Sequence, residues 1–255
     1  MKKQIGKLLP ISTIISFLLI WEIVVILASF PAYLLPAPSV IILTTIKIIP
    51  QITNHIFATI FEAITGMLIS VFVSFFLVTI MEYFPVLRKM FYPIIITSQT
   101  IPIIYLAPLF VLWFGFGFLP KIIVVILICF FPISISLLDS FINIEQSELL
   151  LFRSFSASKW NIILHLKFPS SLPNFFSSLK IAATYAMMGA IIGEWLGGEV
   201  GLGVYILRVK QSFLTDRMFA AILLITLISL LMVKFVQILE RVCLPHLYIS
   251  KKEKK

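Results

Sequence analysis

The chain has 255 residues, of which 60% are hydrophobic and 12% are charged, and its mean hydropathy is +1.11. These proportions exclude an ordinary soluble domain and predict a polytopic membrane protein. The formal net charge of +9 would suggest nucleic-acid binding in a soluble protein, but here the basic residues lie mostly in short segments between apolar tracts. That placement indicates membrane topology and contact with anionic lipid, with no nucleic acid as a partner.

Apolar tracts of about 20 residues, the length that crosses a bilayer, recur along the chain, and they lack the alternation of barrel strands. We therefore predict an all-α protein with six transmembrane helices. The predicted spans are Ile11–Phe30, Ile56–Met81, Phe91–Phe114, Leu119–Leu138, Phe175–Leu196 and Met218–Leu239. Within the third span, Pro102 and Pro108 are candidate points for a break.

The placement of lysine and arginine predicts the orientation. With the N-terminus in the cytoplasm, the cytoplasmic segments hold 13 basic residues and the outer segments hold 5, one of them Lys121. The positive-inside rule therefore places both termini in the cytoplasm, together with a basic tail, 241–255. The proline-containing segment Pro31–His55 then lies outside, as a turn followed by a short surface helix.

The longest polar segment between spans is 144–173, on the cytoplasmic side. Its pattern predicts two short helices separated by small residues, with Ser156 or Ser158 capping the second helix. Pro169 and Pro173 are expected to stop that helix before the fifth span begins. Two interpretations remain open at this point: a helix resting on lipid headgroups, or a docking element that enters a groove of a cytoplasmic protein.

Polar and aromatic residues inside the spans are candidate pathway residues. Gln99, Thr100 and Pro102 interrupt the third span and suit either a substrate cavity with a hinge or a helix-packing notch. Tyr185 and Met188 in the fifth span suit stacking on a flat heterocycle or ordinary core packing.

Acidic residues inside spans are costly in lipid. Glu194, near a glycine-rich end of the fifth span, suits an outer gate, a substrate contact or an interfacial position. Glu22 and Glu62 lie nearer helix ends and are expected to reach headgroups or a neighbouring helix. The sequence shows no metal-ligand spacing, no convergent catalytic groups and no buried acidic pair or inverted repeat. It therefore disfavours a metal site, a membrane enzyme and an ion-coupled secondary transporter.

Several motifs, in order, carry a family resemblance. They are the two-helix cytoplasmic segment, SQTIPIIYLAPLFVLWFGFG (Ser98–Gly117), ICFFPI (Ile128–Ile133), SSLKIAATYAMMGAIIGEWLGG (Ser177–Gly198) and GLGVYI (Gly201–Ile206). The chain resembles, over about residues 35–240, the permease subunits of bacterial binding-protein-dependent ABC importers, in the branch for nitrate, sulfonates and taurine. Segment 144–173 resembles the cytoplasmic "EAA" coupling loop of that family.

The resemblance implies one permease domain over residues 1–255 with the type I importer (MetI-like) fold, its core helices at about 56–240. It implies a homodimer in the bacterial cytoplasmic membrane, two cytoplasmic ATP-binding subunits and an extracytoplasmic substrate-binding lipoprotein. No cofactor is expected on this chain, and its lack of a GxxxxGK[ST] loop assigns ATP hydrolysis to the partner. The residues that it implies for ATPase docking are Glu148, Arg153, Ser156, Ala157, Ser158, Lys159 and Trp160.

The coupling loop departs from the family pattern. Leu150-Leu151-Phe152 stands where Glu-Ala-Ala is usual, Ser156 replaces a glycine, and Glu148 is displaced by about two residues from the usual glutamate. This departure and the motifs above look more like the subgroup for thiamine-precursor pyrimidines such as hydroxymethylpyrimidine. Permeases for sulfonates, taurine, nitrate or riboflavin are the alternatives.

Overall fold

The computed structural model describes residues 2–31 and 33–245, the side chains of residues 2–8, 10 and 11 excepted. All regular structure in this part of the chain is helical. The α-helices, numbered in chain order, are α1 Lys2–Leu27, α2 Pro38–Ile48, α3 Thr53–Tyr83, α4 Pro85–Ser98, α5 Ile103–Phe114, α6 Phe118–Ile142, α7 Gln146–Ser154, α8 Lys159–Ile162, α9 Phe168–Gly197, α10 Leu202–Gln211 and α11 Thr215–Cys243. A 3₁₀ turn (Ile49–Gln51) extends α2, and a π turn (Ile163–Lys167) joins α8 to α9.

Four helices are long and apolar enough to cross a membrane: α3, α6, the continuous α8–α9 rod (Lys159–Gly197) and α11. They contain the second, fourth, fifth and sixth predicted spans, and each extends beyond the predicted limits. The first predicted span falls on α1, whose described apolar part is Ser12–Leu27. Of the predicted basic tail, residues 246–255 lie outside the described part of the chain.

The third predicted span is not one straight helix. Its two halves, α4 and α5, meet at 103°, so together they form a broken span or a re-entrant loop. The break falls at Pro102, which precedes α5 with an extended ψ of 116°, whereas Pro108 lies inside α5. Pro102 cannot donate a backbone hydrogen bond to the preceding turn, which explains why α4 does not continue past it.

The prediction that Pro169 and Pro173 stop the second loop helix is wrong. Both lie within α9, which follows the π turn without interruption. Each proline removes one backbone hydrogen-bond donor from the continuous rod, Pro169 directly after the π turn and Pro173 one turn later. The buried neighbours Phe175 and Phe176 hold this part of α9 in the core despite that loss.

The centre of the protein is the antiparallel contact of α6 with α9, flanked by α3 and α11. Small residues allow the close approach, since Ala182, Ala183, Ala186 and Ala190 on α9 are fully buried. A Cβ added to Gly193 would lie 2.8 Å from the Cα of Lys121, so the backbones nearly touch there. The packing of the core therefore depends on small side chains rather than on large interlocking ones.

The predicted turn and short helix after the first span are confirmed as α2. Glu22 of α1 accepts hydrogen bonds from the Ser39 backbone N–H at 3.0 Å and from its hydroxyl at 2.6 Å. The carboxylate thus satisfies a free amide in the first turn of α2 and complements the helix dipole. Of the two expectations for Glu22, the structure selects the neighbouring helix.

Candidate functional site

The break between α4 and α5 places polar groups in the middle of an apolar segment. The Thr100 backbone N–H donates to the Thr97 carbonyl at 3.1 Å, and its hydroxyl donates to the same oxygen at 2.7 Å. The Ile101 N–H donates to the Ser98 carbonyl at 3.2 Å. These bonds satisfy the end of α4 locally, which non-helical backbone needs at membrane depth.

A cleft of about 380 Å³ lies between this break, α6 and α9. It brings together four predicted pathway residues from two distant segments: Gln99, Pro102, Tyr185 and Met188. The remaining lining residues are Ile101, Ile103, Ile104, Ile128, Phe131, Pro132 and Ile192. Among the described residues, no charged side chain lines this cleft. It offers one carboxamide, one phenol hydroxyl and otherwise apolar surface.

The structure places the other two candidates elsewhere. Thr100 lies on the break with its hydroxyl directed to the backbone, and it does not line the cleft. Glu194 lies near the other end of α9 and is 1% exposed. Its carboxylate accepts hydrogen bonds from the Thr59 hydroxyl at 2.6 Å and from the Gly203 backbone N–H at 2.5 Å. In this conformation Glu194 connects α9 to α3 and to the start of α10.

Three acceptors meet consecutive amides at the start of α10. The Gly201 N–H donates to His55 Nδ1 at 2.9 Å, the Leu202 N–H to the Thr59 hydroxyl at 2.8 Å, and the Gly203 N–H to Glu194. Gly201 has φ +142°, and any Cβ there would overlap the Glu194 carboxylate. We call this arrangement the α10 clamp. It fixes the N-terminus of α10 to α3 and α9.

A buried ion pair adjoins the α10 clamp. Lys121 of α6 donates to Glu62 of α3, and these residues are 7% and 2% exposed. The Glu62 carboxylate also faces that of Glu194, and its second oxygen is buried without a hydrogen-bond partner in the described part of the chain. Lys121 therefore neutralises a pair of acids inside the helix bundle, close to the start of α6.

Sequence reasoning missed this pair. The expectation of no buried acidic pair is wrong, because Glu62 and Glu194 are both buried and face each other. The placement of Lys121 on the outer side stays a prediction. Of the two expectations for Glu62, headgroups or a neighbouring helix, the structure selects the neighbouring helix. Sequence spacing between Glu62 and Lys121 carries no information about contact, because the two residues are brought together by the packing of α3 on α6. The sequence offered one weak signal for this pair: Glu62 and Lys121 are each a charged residue within an apolar tract.

Segment 144–173 begins with two short helices, α7 and α8, as predicted. Between α7 and α8, Ser158 accepts a hydrogen bond from the Asn161 N–H at 3.2 Å and is the N-cap of α8. Ser156 has φ +57°, in the left-handed region that favours glycine. Ser156 therefore has the backbone conformation that the resemblance, in which it replaces a glycine, implies.

The seven predicted docking residues form one end of the molecule. Glu148, Arg153, Ser156, Ser158, Lys159 and Trp160 are exposed, and Ala157 is half-buried. Trp160 is 51% exposed, as are many other large apolar side chains of this chain. The structure thus brings the seven residues to one accessible surface, and their role there stays a prediction.

A salt-bridge cluster anchors this loop to the bundle. Lys167, in the π turn, donates to Glu82 at 2.8 Å and to the Phe141 carbonyl at 2.8 Å. Arg88 at the start of α4 pairs with the other Glu82 oxygen at 3.0 Å. These contacts connect the π turn to the ends of α3, α4 and α6.

Fold and site describe a multi-helix membrane transport component, and comparison with known proteins gives its family. Residues 66–243 match the family described as "Binding-protein-dependent transport system inner membrane component". The chain is 34% identical over 246 residues to the formylaminopyrimidine transport permease protein of Halalkalibacterium halodurans, covering 96% of this chain and 98% of that protein.

Two further relatives agree. A probable ABC transporter permease protein of Haemophilus influenzae is 33% identical over 89% of this chain and 93% of its own length. The riboflavin transport system permease protein of Chloroflexus aurantiacus is 29% identical over 91% of this chain and 87% of its own length. The chain therefore belongs to the family of inner-membrane permeases of binding-protein-dependent ABC transporters. It is a multi-pass transport component rather than an enzyme, and it works with an ATPase and a substrate-binding protein.

Proposed function

We propose that this permease carries a small, flat, neutral heterocycle into the cell, a thiamine-precursor pyrimidine of the hydroxymethylpyrimidine type. The observation that carries the proposal is the cleft at the α4–α5 break, which joins Gln99 and Tyr185 to apolar walls without a charged group among the described residues. A carboxamide and a phenol can satisfy ring nitrogens and exocyclic polar groups, while apolar walls accept the ring faces. The similarity to a formylaminopyrimidine permease supports the same substrate class.

An anionic substrate fits the cleft poorly. A sulfonate or nitrate ion would leave water for an apolar surface without a compensating cation, which is costly. The buried cation Lys121 cannot neutralise such an anion, because it is bound to Glu62 and does not line the cleft. The charge of the cleft therefore favours the pyrimidine over the anions that other members of the branch carry.

The pathway, in this proposal, is completed by a second copy of the chain. The cleft is open along one side, and α5 presents large apolar side chains that the monomer leaves uncovered, among them Tyr105 (74% exposed), Leu112 (77%) and Trp113 (63%). A two-fold arrangement lets each copy close the cleft of the other. The N- and C-termini lie in the cytoplasm, following the excess of basic residues on that side.

The energy for transport comes from two ATPase subunits that bind loop 144–173. Glu148, Arg153, Ser156, Ala157, Ser158, Lys159 and Trp160 supply the docking surface. Their exposure supports this role, and the salt bridge of Lys167 to Glu82 gives the loop a mechanical connection to the spans. The α10 clamp with Glu194 lies at the opposite end of α9, on the outer side, where it positions α10 as part of the outer gate.

The test is reconstituted transport. The permease, its ATPase and its binding protein are placed in liposomes, and ATP-dependent uptake of labelled hydroxymethylpyrimidine and formylaminopyrimidine is compared with uptake of taurine and an alkanesulfonate. We expect uptake of the pyrimidines alone, reduced by Gln99→Leu and Tyr185→Leu but not by Leu68→Ala, an exposed α3 position outside the cleft. Uptake of the sulfonates without the pyrimidines would refute the substrate assignment. Uptake without ATP would refute the mechanism.

A further inference from the structure

The cytoplasmic loop contains a notch between α7 and α8. The notch has a volume of about 340 Å³, and its lining residues are Leu151, Phe152, Phe155, Ala157, Asn161 and His165. Phe155 is 78% exposed and Leu151 is 55% exposed. Four of these six residues are apolar, so the notch has a mainly apolar surface. Exposed apolar surface of this kind marks a contact site.

The backbone holds the notch open before any partner arrives. The Ala157 N–H donates to the Phe152 carbonyl at 3.1 Å, and the Ser156 N–H donates to the Arg153 carbonyl at 2.9 Å. With Ser156 left-handed at φ +57°, these two bonds form a Schellman motif at the end of α7. Phe152 and Ala157, the pair that a Schellman motif brings into contact, both line the notch. A preformed hole binds without the cost of ordering a loop.

The charged groups of the loop lie around the notch rather than in it. Glu148, Arg153 and Lys159 are exposed, and none of them lines it in the described structure. Asn161 and His165 form its polar edge. An apolar centre with a polar rim is the composition of a protein interface, whereas a lipid-binding helix presents one open apolar face to the membrane.

We propose that the notch receives an apolar side chain projecting from the ATPase subunit. The central contact between the two proteins is then hydrophobic, with the side chain supplied by the ATPase and the notch by the permease. This inference rests on the proposed docking of loop 144–173 and adds the chemistry of the contact. Leu151 and Phe152 of α7 give the notch its apolar wall, and Glu148 does not enter it. The cognate ATPase should therefore present a leucine, methionine or aromatic residue at the matching point of its surface.

The experiment measures the affinity of the full permease in nanodiscs for its purified ATPase subunit at two salt concentrations. Leu151→Ala and Phe155→Ala are compared with Leu150→Ala, a matched control that is 61% exposed and outside the notch. Removal of a central apolar contact should weaken binding about tenfold or more, whereas the Leu150 variant should stay within about threefold of wild type. Ala157→Leu, which fills the notch, should weaken binding similarly.

Salt separates an apolar anchor from an ionic one. Between about 0.1 M and 1 M salt, where exposed charges become screened, the wild-type affinity should stay constant or increase. A tenfold loss of affinity at high salt, or equal effects of Leu150→Ala and Leu151→Ala, would overturn the hydrophobic anchor and leave the docking proposal standing. If the notch variants bind the ATPase as tightly as wild type, the notch takes no part in the contact and the inference fails. If wild-type permease does not bind the ATPase at either salt concentration, the docking proposal itself fails.

Discussion

Replacing Gly201 by alanine should break the α10 clamp. Gly201 has φ +142°, a region that alanine rarely adopts, and its new Cβ would overlap the Glu194 carboxylate. The backbone strain is worth about 1–3 kcal/mol. Displacing Glu194 also leaves the buried Gly203 N–H without its acceptor, which costs about 1–3 kcal/mol more. We expect a total destabilisation of about 2–6 kcal/mol.

Gly117 provides the matched control for this prediction. It has φ +130°, similar to that of Gly201, but a Cβ there would meet nothing within 4 Å. Gly117→Ala should therefore cost only the strain, about 1–3 kcal/mol. Apparent melting temperatures of both variants in the same detergent, together with uptake in liposomes, measure the difference. Equal decreases in melting temperature for the two variants would show that contact with Glu194 adds no stability. The α10 clamp would then not be the role of Glu194.

Three further substitutions test other parts of the structure. Lys121→Met leaves Glu62 buried without a cation and should destabilise the protein by about 3–5 kcal/mol, and adding Glu62→Gln should restore most of that loss, as read from thermal unfolding. Ser156→Gly removes the left-handed strain and should stabilise the loop by up to about 1 kcal/mol, with ATPase affinity unchanged, as measured by hydrogen exchange across α7 and α8. Ala157→Arg should abolish co-purification with the ATPase while the melting temperature of the permease stays as in wild type.

Each of these has a clear contrary result. If the Lys121→Met and Glu62→Gln effects simply add, the two residues are not coupled and the buried pair has no energetic meaning. Faster hydrogen exchange in the Ser156→Gly variant would contradict the strain argument. Normal yield of the ATPase complex with Ala157→Arg would show that the loop surface around this residue does not take part in docking.

Segment 144–173 shows how far local sequence rules reach. Small residues followed by Lys159 predicted the start of a helix, and Ser158 is its cap, because capping depends on atoms within three residues. The same rules failed at Pro169 and Pro173. Whether a proline ends a helix depends on what the rest of the helix packs against, and here α9 lies at the centre of the bundle. Local chemistry proposed a stop that tertiary packing overrode.

The candidate pathway divides in the same way. The missing N–H made Pro102 and Pro108 equal candidates for a break, and only Pro102 lies at it, since Pro108 is inside α5. Gln99, close to the break, is a candidate because of its polarity. For Tyr185 and Met188 the sequence favours core packing over ligand binding. The structure places both beside the helix break, which lies far from them along the chain. Glu194 was singled out correctly as unusual, yet its partner Thr59 is on another helix and was invisible to sequence patterns.

The sequence by itself determined the membrane class, the approximate spans, the two-helix loop and the family, because hydropathy, basic-residue placement and motif order are properties of the chain read in one dimension. The tertiary structure decided which polar groups meet: Lys121 with Glu62, Glu194 with the start of α10, and Tyr185 with the helix break. The physical reason is that a buried charge or amide is stable only beside a partner, and helix packing selects that partner from distant segments.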